Sequence, residues 1–200
     1  MSNTNIDNNS GSIKLIIGCM YSGKTSQLIR EINKWKSIGV NILVINYEDD
    51  NRYGDDNFMY SHDKVKTECI KVKELKKISN DTINKYSVIL INEGQFFKDL
   101  EIKVTQWCEI LGKKIIVSGL DGDFQRKPFG QILNLIPIAD EIIKTKALCN
   151  ICKDGTSALF SWRLTGELEQ TVIGNTNYIP VCRKHFCELT NTNLLQSNQK

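Results

Sequence analysis

The chain has no long hydrophobic run, no strong charge of either sign and few histidines, and each shortage excludes something. Lysines and polar residues interrupt every apolar stretch before the roughly 18 residues of a membrane helix, so no membrane partner is expected. Net charge is +3, from 26 basic and 23 acidic residues, too mild a surplus to point to nucleic acid. The opening MSNTNIDNNSGS has neither a basic segment nor an apolar core. It reads as a disordered polar leader over residues 1–11 rather than a secretory signal. No internal repeat occurs, and low complexity is confined to the Asn-rich ends, with residues 190–200 expected to form a flexible tail.

What is present describes a globular protein. At 40% hydrophobic and 24% charged, 200 residues bury roughly 70% of their unfolded surface, enough for one domain and a small lobe. The seven cysteines are an odd count, and four crowd into the last third. That distribution fits intracellular thiols reserved for metal or chemistry better than a disulfide framework. Cys69 and Cys108 read as buried small hydrophobes.

Apolar runs at residues 13–17, 40–45, 86–91 and 114–118 predict strands. Leu28, Ile29, Ile32 and Trp35 share one face of a helix expected over 25–36, and a second helix is expected over about 102–111. Residues 46–63, charged and containing glycine, read as a long loop. Alternating strands and helices predict an α/β fold, a parallel sheet with helices on both faces, over residues 12–146. From 147 to 189 the chain turns Cys-, Gly- and Thr-rich, as a small metal-held lobe would.

Gly18-Cys19-Met20-Tyr21-Ser22-Gly23-Lys24-Thr25 follows the G-x-x-x-x-G-K-[ST] pattern between an expected strand and an expected helix. Its glycines let successive N–H groups turn toward phosphate oxygens at a helix N-terminus. Gly18, Ser22, Gly23 and Lys24 are therefore candidate ATP-binding residues, and the Thr25 hydroxyl is a candidate Mg²⁺ ligand. A second candidate site opens where the strand ending at Ile91 meets Asn92-Glu93-Gly94-Gln95-Phe96, because such folds deliver metal-binding and catalytic carboxylates at strand ends.

Cys149-x-x-Cys152 and Cys182-x-x-His185 are two ligand pairs able to clasp a tetrahedral Zn²⁺. Three thiolates and an imidazole leave no open position, so the zinc is expected to be structural. Cys187 competes with His185 for the fourth place. His62 lies far away in sequence, which argues against a catalytic zinc.

Together GCMYSGKT, NEGQFF, DGDFQRKPFG and the CxxC…CxxH lobe resemble the thymidine kinases of cellular and poxviral type, over about residues 13–187. The resemblance implies transfer of the ATP γ-phosphoryl group to the thymidine 5′-hydroxyl in pyrimidine salvage, with Mg²⁺. It implies Glu93 as general base, Arg52 as a clamp on transition-state charge with Asp50 beside it, and Asn92 and Gln95 within the ATP site. Phe96 and Phe129 would enclose the thymine ring; Met20, Leu120, Phe124 and Tyr178 would wall the base, with Ser161 nearby. Gly174 would supply backbone hydrogen bonds from a lid loop. His62, in Ser-His-Asp, reads as a structural hydrogen-bonding group. The resemblance further implies a homotetramer, feedback inhibition by dTTP and a cytoplasmic location. One departure stands out: Asn92 replaces the family's Asp. Either Thr25, Glu93 and the phosphates hold Mg²⁺ without that charge, or the chain is a weak kinase that acts as a nucleotide-binding sensor.

Overall fold

The computed structural model describes residues 10–50, 58–60, 65–167, 169–170 and 177–197, with side chains to 191. In chain order the core is built from β1 (Ser12–Gly18), α1 (Lys24–Ser37), β2 (Ile42–Tyr47), the short strands β3 (Phe58–Tyr60), β4 (Lys66–Glu68) and β5 (Ile70–Val72), and α2 (Asn80–Asn84). There follow β6 (Val88–Ile91), α3 (Leu100–Thr105), β7 (Lys114–Gly119) and β8 (Glu141–Thr145). Six strands form one sheet in the order β5-β2-β6-β7-β1-β8, and every neighbouring pair is parallel. This is the α/β architecture the alternating pattern predicts.

A parallel sheet is covered on both faces, so its central strands carry apolar residues almost without a break, as in the fully buried VILI of β6. Alternation then sorts the side chains. Ile13, Leu15 and Ile17 face α3, Trp107 and Leu135; Ile16 faces Leu28, Ile29 and Ile32 of α1. A partly buried ion cluster ties β1 to α1 and β8: Lys14 Nζ lies 2.8 Å from Glu31 on α1 and 3.0 Å from Glu141 on β8. Among the described residues no helix is long and apolar enough to cross a membrane.

Several expected boundaries move. β2 begins at Ile42 rather than at residue 40, because Gly39 turns in the left-handed region (φ 72°) and Val40 donates its N–H back to Trp35, closing α1. The expected loop over 46–63 begins as strand, since Asn46 and Tyr47 complete β2, and Phe58–Tyr60 pairs antiparallel with Lys66–Glu68. Residues 51–57 and 61–64 lie outside the described residues, and with them Arg52 and His62. The second helix starts at Leu100 and ends in a π-helical turn, Gln106–Ile110, that buries Trp107. β5 and β8 are edge strands without a sequence signal. β8 is largely exposed and β5 is three residues long, so neither shows the buried apolar run that marks its neighbours.

Beyond the sheet, β9 (Ala147–Leu148) pairs with β10 (Ser157–Ala158), β11 (Phe160–Arg163) pairs with β12 (Tyr178–Val181), and α4 (Arg183–Ser197) closes the lobe. Ala147, Ala158, Val181 and Phe186 form its small core, and Cys19 of the phosphate loop packs into the same cluster.

Candidate active site and metal centre

Parallel strands bring their C-terminal ends to one edge of the sheet, and the sequence motifs converge there. After β1 the chain passes through Gly18, where a Cβ would collide with the backbone and hydroxyl oxygens of Thr145. Tyr21 (φ 62°) and Gly23 (φ 79°) take left-handed conformations that curl the loop into the start of α1. Lys24 is 9% exposed and its Nζ donates to the Cys19 carbonyl at 2.6 Å, which holds the ammonium over the loop. The Ser22 hydroxyl lies 2.8 Å from that carbonyl and 2.7 Å from the Thr145 hydroxyl. Thr25 sits half-buried in the first turn of α1. The loop's crown is held from outside the motif, where Met20 N–H donates to the Ser161 hydroxyl at 2.9 Å.

At the end of β6, Glu93 occupies a left-handed backbone conformation (φ 53°), unusual for a residue with a side chain and common where a fold places a functional group. Its carboxylate accepts a 2.7 Å hydrogen bond from Gln95 Nε2, and Gln95 Oε1 in turn accepts the Leu120 N–H at 2.9 Å. Gln95 thus orients Glu93 and ties it to the end of β7. Gly119 leaves room for Gln95, because a Cβ there would overlap the Gln95 side-chain oxygen and force that side chain to shift. Asn92, buried beside Glu93, donates to Asn46 at 2.9 Å.

The aromatic candidates form two groups. Phe96 stands 5.5 Å from Phe129, edge to face, and 5.0 Å from Tyr47, an aromatic that the sequence does not single out because it falls at the end of an apolar strand. In the second group Phe124 lies 3.7 Å from the Arg163 guanidinium, and Tyr178 directs its hydroxyl to Arg163 at 3.0 and 2.5 Å. Arg163 is 5% exposed and also donates to the carbonyls of Glu167, Glu169 and Gln170. The sequence carries no signal for this buried cation. Gln170 Nε2 reaches back to Asp123 at 2.8 Å, joining the lobe to the DGDFQRKPFG turn, in which Asp123 also accepts the N–H groups of Gln125 and Lys127. Leu120, just past the end of β7, is half-buried, and Gly174 lies outside the described residues.

Cys149, Cys152, Cys182 and His185 place their ligand atoms within 4.8 Å of one another. His185 Nδ1 is 3.5, 3.3 and 3.3 Å from the sulfurs of Cys149, Cys152 and Cys182, and the last two sulfurs are 3.8 Å apart. Zinc–sulfur bonds of about 2.3 Å at tetrahedral angles put sulfurs roughly 3.8 Å apart, so the donor set and spacing fit Zn²⁺. Burial works against the Cys149 thiolate, but the amides of Cys152, Cys182 and Ile151 and the His185 ring outweigh it and pull the pKa down to about 6. Desolvation, Cys149 and Cys182 push Cys152 up to about 11. Three thiols crowded this closely cannot all ionise without a cation among them. Cys187 is exposed and stands outside the cluster, which leaves the fourth place to His185. Glu188 lies 3.8 Å from His185 Nε2, on the ring's far side from the sulfurs.

A parallel sheet whose first strand ends in a lysine-bearing phosphate loop, with an oriented carboxylate at a nearby strand end, defines a phosphate-loop nucleotide-binding protein. A family model described as thymidine kinase matches residues 11–186, and the chain belongs to the thymidine kinase family. It is similar to the thymidine kinase of Vaccinia virus (strain Western Reserve), 42% identical over 184 residues that span 90% of this chain and 99% of that protein. The thymidine kinase of Variola virus is 40% identical over 90% of this chain and 99% of its own length. That of Oryza sativa subsp. japonica is 38% identical over 89% of this chain and 67% of its own length. Among solved structures, AMPPCP-bound DnaA from Aquifex aeolicus aligns with a TM-score of 0.42 at 16% identity, over 68% of this chain and 41% of that one, too partial a likeness to inform function.

Proposed function

We propose that the chain is an ATP:thymidine 5′-phosphotransferase, and that Glu93 is its general base. The observation that carries this reading is the Glu93 carboxylate, held by Gln95 at the sheet edge that also bears the Lys24 loop, in a chain of this family. Phosphoryl transfer asks little covalent chemistry of a protein; it asks for positioning, charge neutralisation and an acceptor for the hydroxyl proton. The loop's amides and Lys24 grip the triphosphate. Glu93, an acceptor with two oxygens, takes the 5′-hydroxyl proton as the oxygen attacks the γ-phosphorus and ADP departs. The Thr25 hydroxyl and the Asn92 carbonyl are the oxygen donors that would hold Mg²⁺, which when bound would neutralise charge on the phosphates. Arg52 adds positive charge toward the transition state. Phe96 and Phe129 present faces and edges to a planar base; Met20, Leu120, Phe124 and Tyr178 wall it, with Ser161 alongside, and Gly174 is assigned backbone hydrogen bonds to the nucleoside on the family resemblance alone.

The Cys149, Cys152, Cys182 and His185 cluster would hold Zn²⁺ in a structural role, its four donors leaving no open position. A homotetramer, feedback inhibition by dTTP and a cytoplasmic location complete the reading, supported by the family resemblance. Thymidine-dependent release of ADP from ATP and Mg²⁺, measured beside Glu93→Gln, tests it. Turnover in the parent chain and a loss of about 100-fold or more in the variant are expected. Undiminished activity in the variant removes the general-base role, and nucleotide binding without turnover returns the chain to the sensor reading.

A further inference from the structure

Asn92, Asn46 and Asp50 form a row of hydrogen bonds whose direction is set at one end. Asn92 is 2% exposed and its NH₂ donates to Asn46 Oδ1 at 2.9 Å; Asn46 is 1% exposed and its NH₂ donates to Asp50 Oδ2 at 3.2 Å. A carboxylate only accepts. Asp50 therefore fixes which way the Asn46 amide faces, and the Asn46 carbonyl then draws the NH₂ of Asn92 toward itself. The Asn92 carbonyl oxygen is left pointing elsewhere. Among the described residues it accepts no hydrogen bond.

We propose that Asn46 is a positioning residue which, anchored on Asp50, holds Asn92 with its carbonyl oxygen rather than its NH₂ turned to the water shell of the nucleotide's Mg²⁺. The inference rests on the kinase reading above. β1 and β6 are separated only by β7, so their axes lie about 10 Å apart at the usual strand spacing. A hard cation that keeps several of its waters would meet Asn92 through one of them. An NH₂ turned the same way would oppose the cation and donate to nothing there. The row thus answers the loss of charge at position 92: the negative group sits at Asp50, and two amide dipoles aligned in sequence carry its polarity to the metal side.

The test compares Asn46→Ala, which removes the row, with Asn46→Asp, which keeps an acceptor facing the Asn92 NH₂. Parent and variants are titrated with Mn²⁺ in the presence of ADP, and free Mn²⁺ is followed by electron paramagnetic resonance. Thermal melts confirm folding, and thymidine-dependent ADP release is run in parallel. Asn46→Ala is expected to weaken Mn²⁺ binding about fivefold, while Asn46→Asp binds at least as tightly as the parent. Parent-like Mn²⁺ binding by folded Asn46→Ala, or equal weakening by both variants, overturns the proposal. Should Asn46→Ala fail to fold, Asn46→Asp decides alone, and weaker binding by it overturns the role. A parent chain without thymidine-dependent turnover fails the kinase reading instead, and the Mn²⁺ titration keeps the two failures apart.

Discussion

Met20 N–H donates to the Ser161 hydroxyl at 2.9 Å, so the crown of the phosphate loop hangs from β11 of the zinc-ligand lobe. Cys19, next to it, packs among Ala158, Val181 and Phe186, with its thiol 3.6 Å from the Ala158 carbonyl. Ser161→Ala leaves that loop amide without its partner. Since both residues also flank the proposed base pocket, it is expected to raise the KM for ATP and for thymidine, each about fivefold, as steady-state kinetics would show.

Because loop and lobe share a core, metal removal is expected to reach nucleotide binding. The purified protein should contain about one zinc per chain by elemental analysis. Stripping it with a strong chelator, or Cys182→Ser, should lower Tm by several degrees and weaken ATP binding together. A fully active, equally stable protein without zinc would contradict this coupling.

Gln95 touches both the Glu93 carboxylate and the end of β7. Gln95→Met keeps the side chain's size but frees the carboxylate to turn. A fall in kcat of about tenfold, with little change in the KM for either substrate, is the expected signature of a lost orienting contact.

Arg163 binds three carbonyls and the Tyr178 hydroxyl while stacking on Phe124. Arg163→Met leaves those oxygens without donors and should cost about 3 kcal/mol in denaturant melts, with a raised KM for thymidine. Arg163→Lys should not restore either property, since one ammonium cannot meet a planar fork of partners.

Desolvation alone would lower the Lys14 pKa, but the hydrogen bonds and charges of Glu31 and Glu141 outweigh it and raise the value above 10.5. A raised basic pKa means the ion cluster stabilises the fold fully below the unfolded value and loses its contribution as pH rises through the folded one. Melting curves from pH 9 upward should therefore converge for the parent and Lys14→Met only at alkaline pH. A constant difference across that range would discount the cluster.

Much of this site is legible in the sequence. The phosphate loop announces itself through spacing, since the chemistry demands glycine, lysine and a hydroxyl at set intervals, and the two ligand pairs of the Cys149, Cys152, Cys182 and His185 cluster do the same. Cys187 against His185 is open in the sequence and is decided by geometry, because only His185 falls within reach of the three sulfurs. Tyr47, Asn46 and Arg163 are not legible. Each becomes notable through a partner distant in sequence: Phe96 for Tyr47, Asn92 for Asn46, and Phe124 for Arg163. β5 and β8 escape for a related reason, since an edge strand is half solvated and lacks the continuous apolar run of a central one.

The amino-acid order by itself determined the class of fold and the chemistry on offer, because periodic burial and motif spacing are local properties of a chain. Only the folded molecule decided how that chemistry is aimed: Glu93 by Gln95, Met20 by Ser161, and Asn92 by Asn46 and Asp50. Hydrogen bonds act over about 3 Å, and residues 141 apart in the chain come that close only when sheet and lobe have packed together.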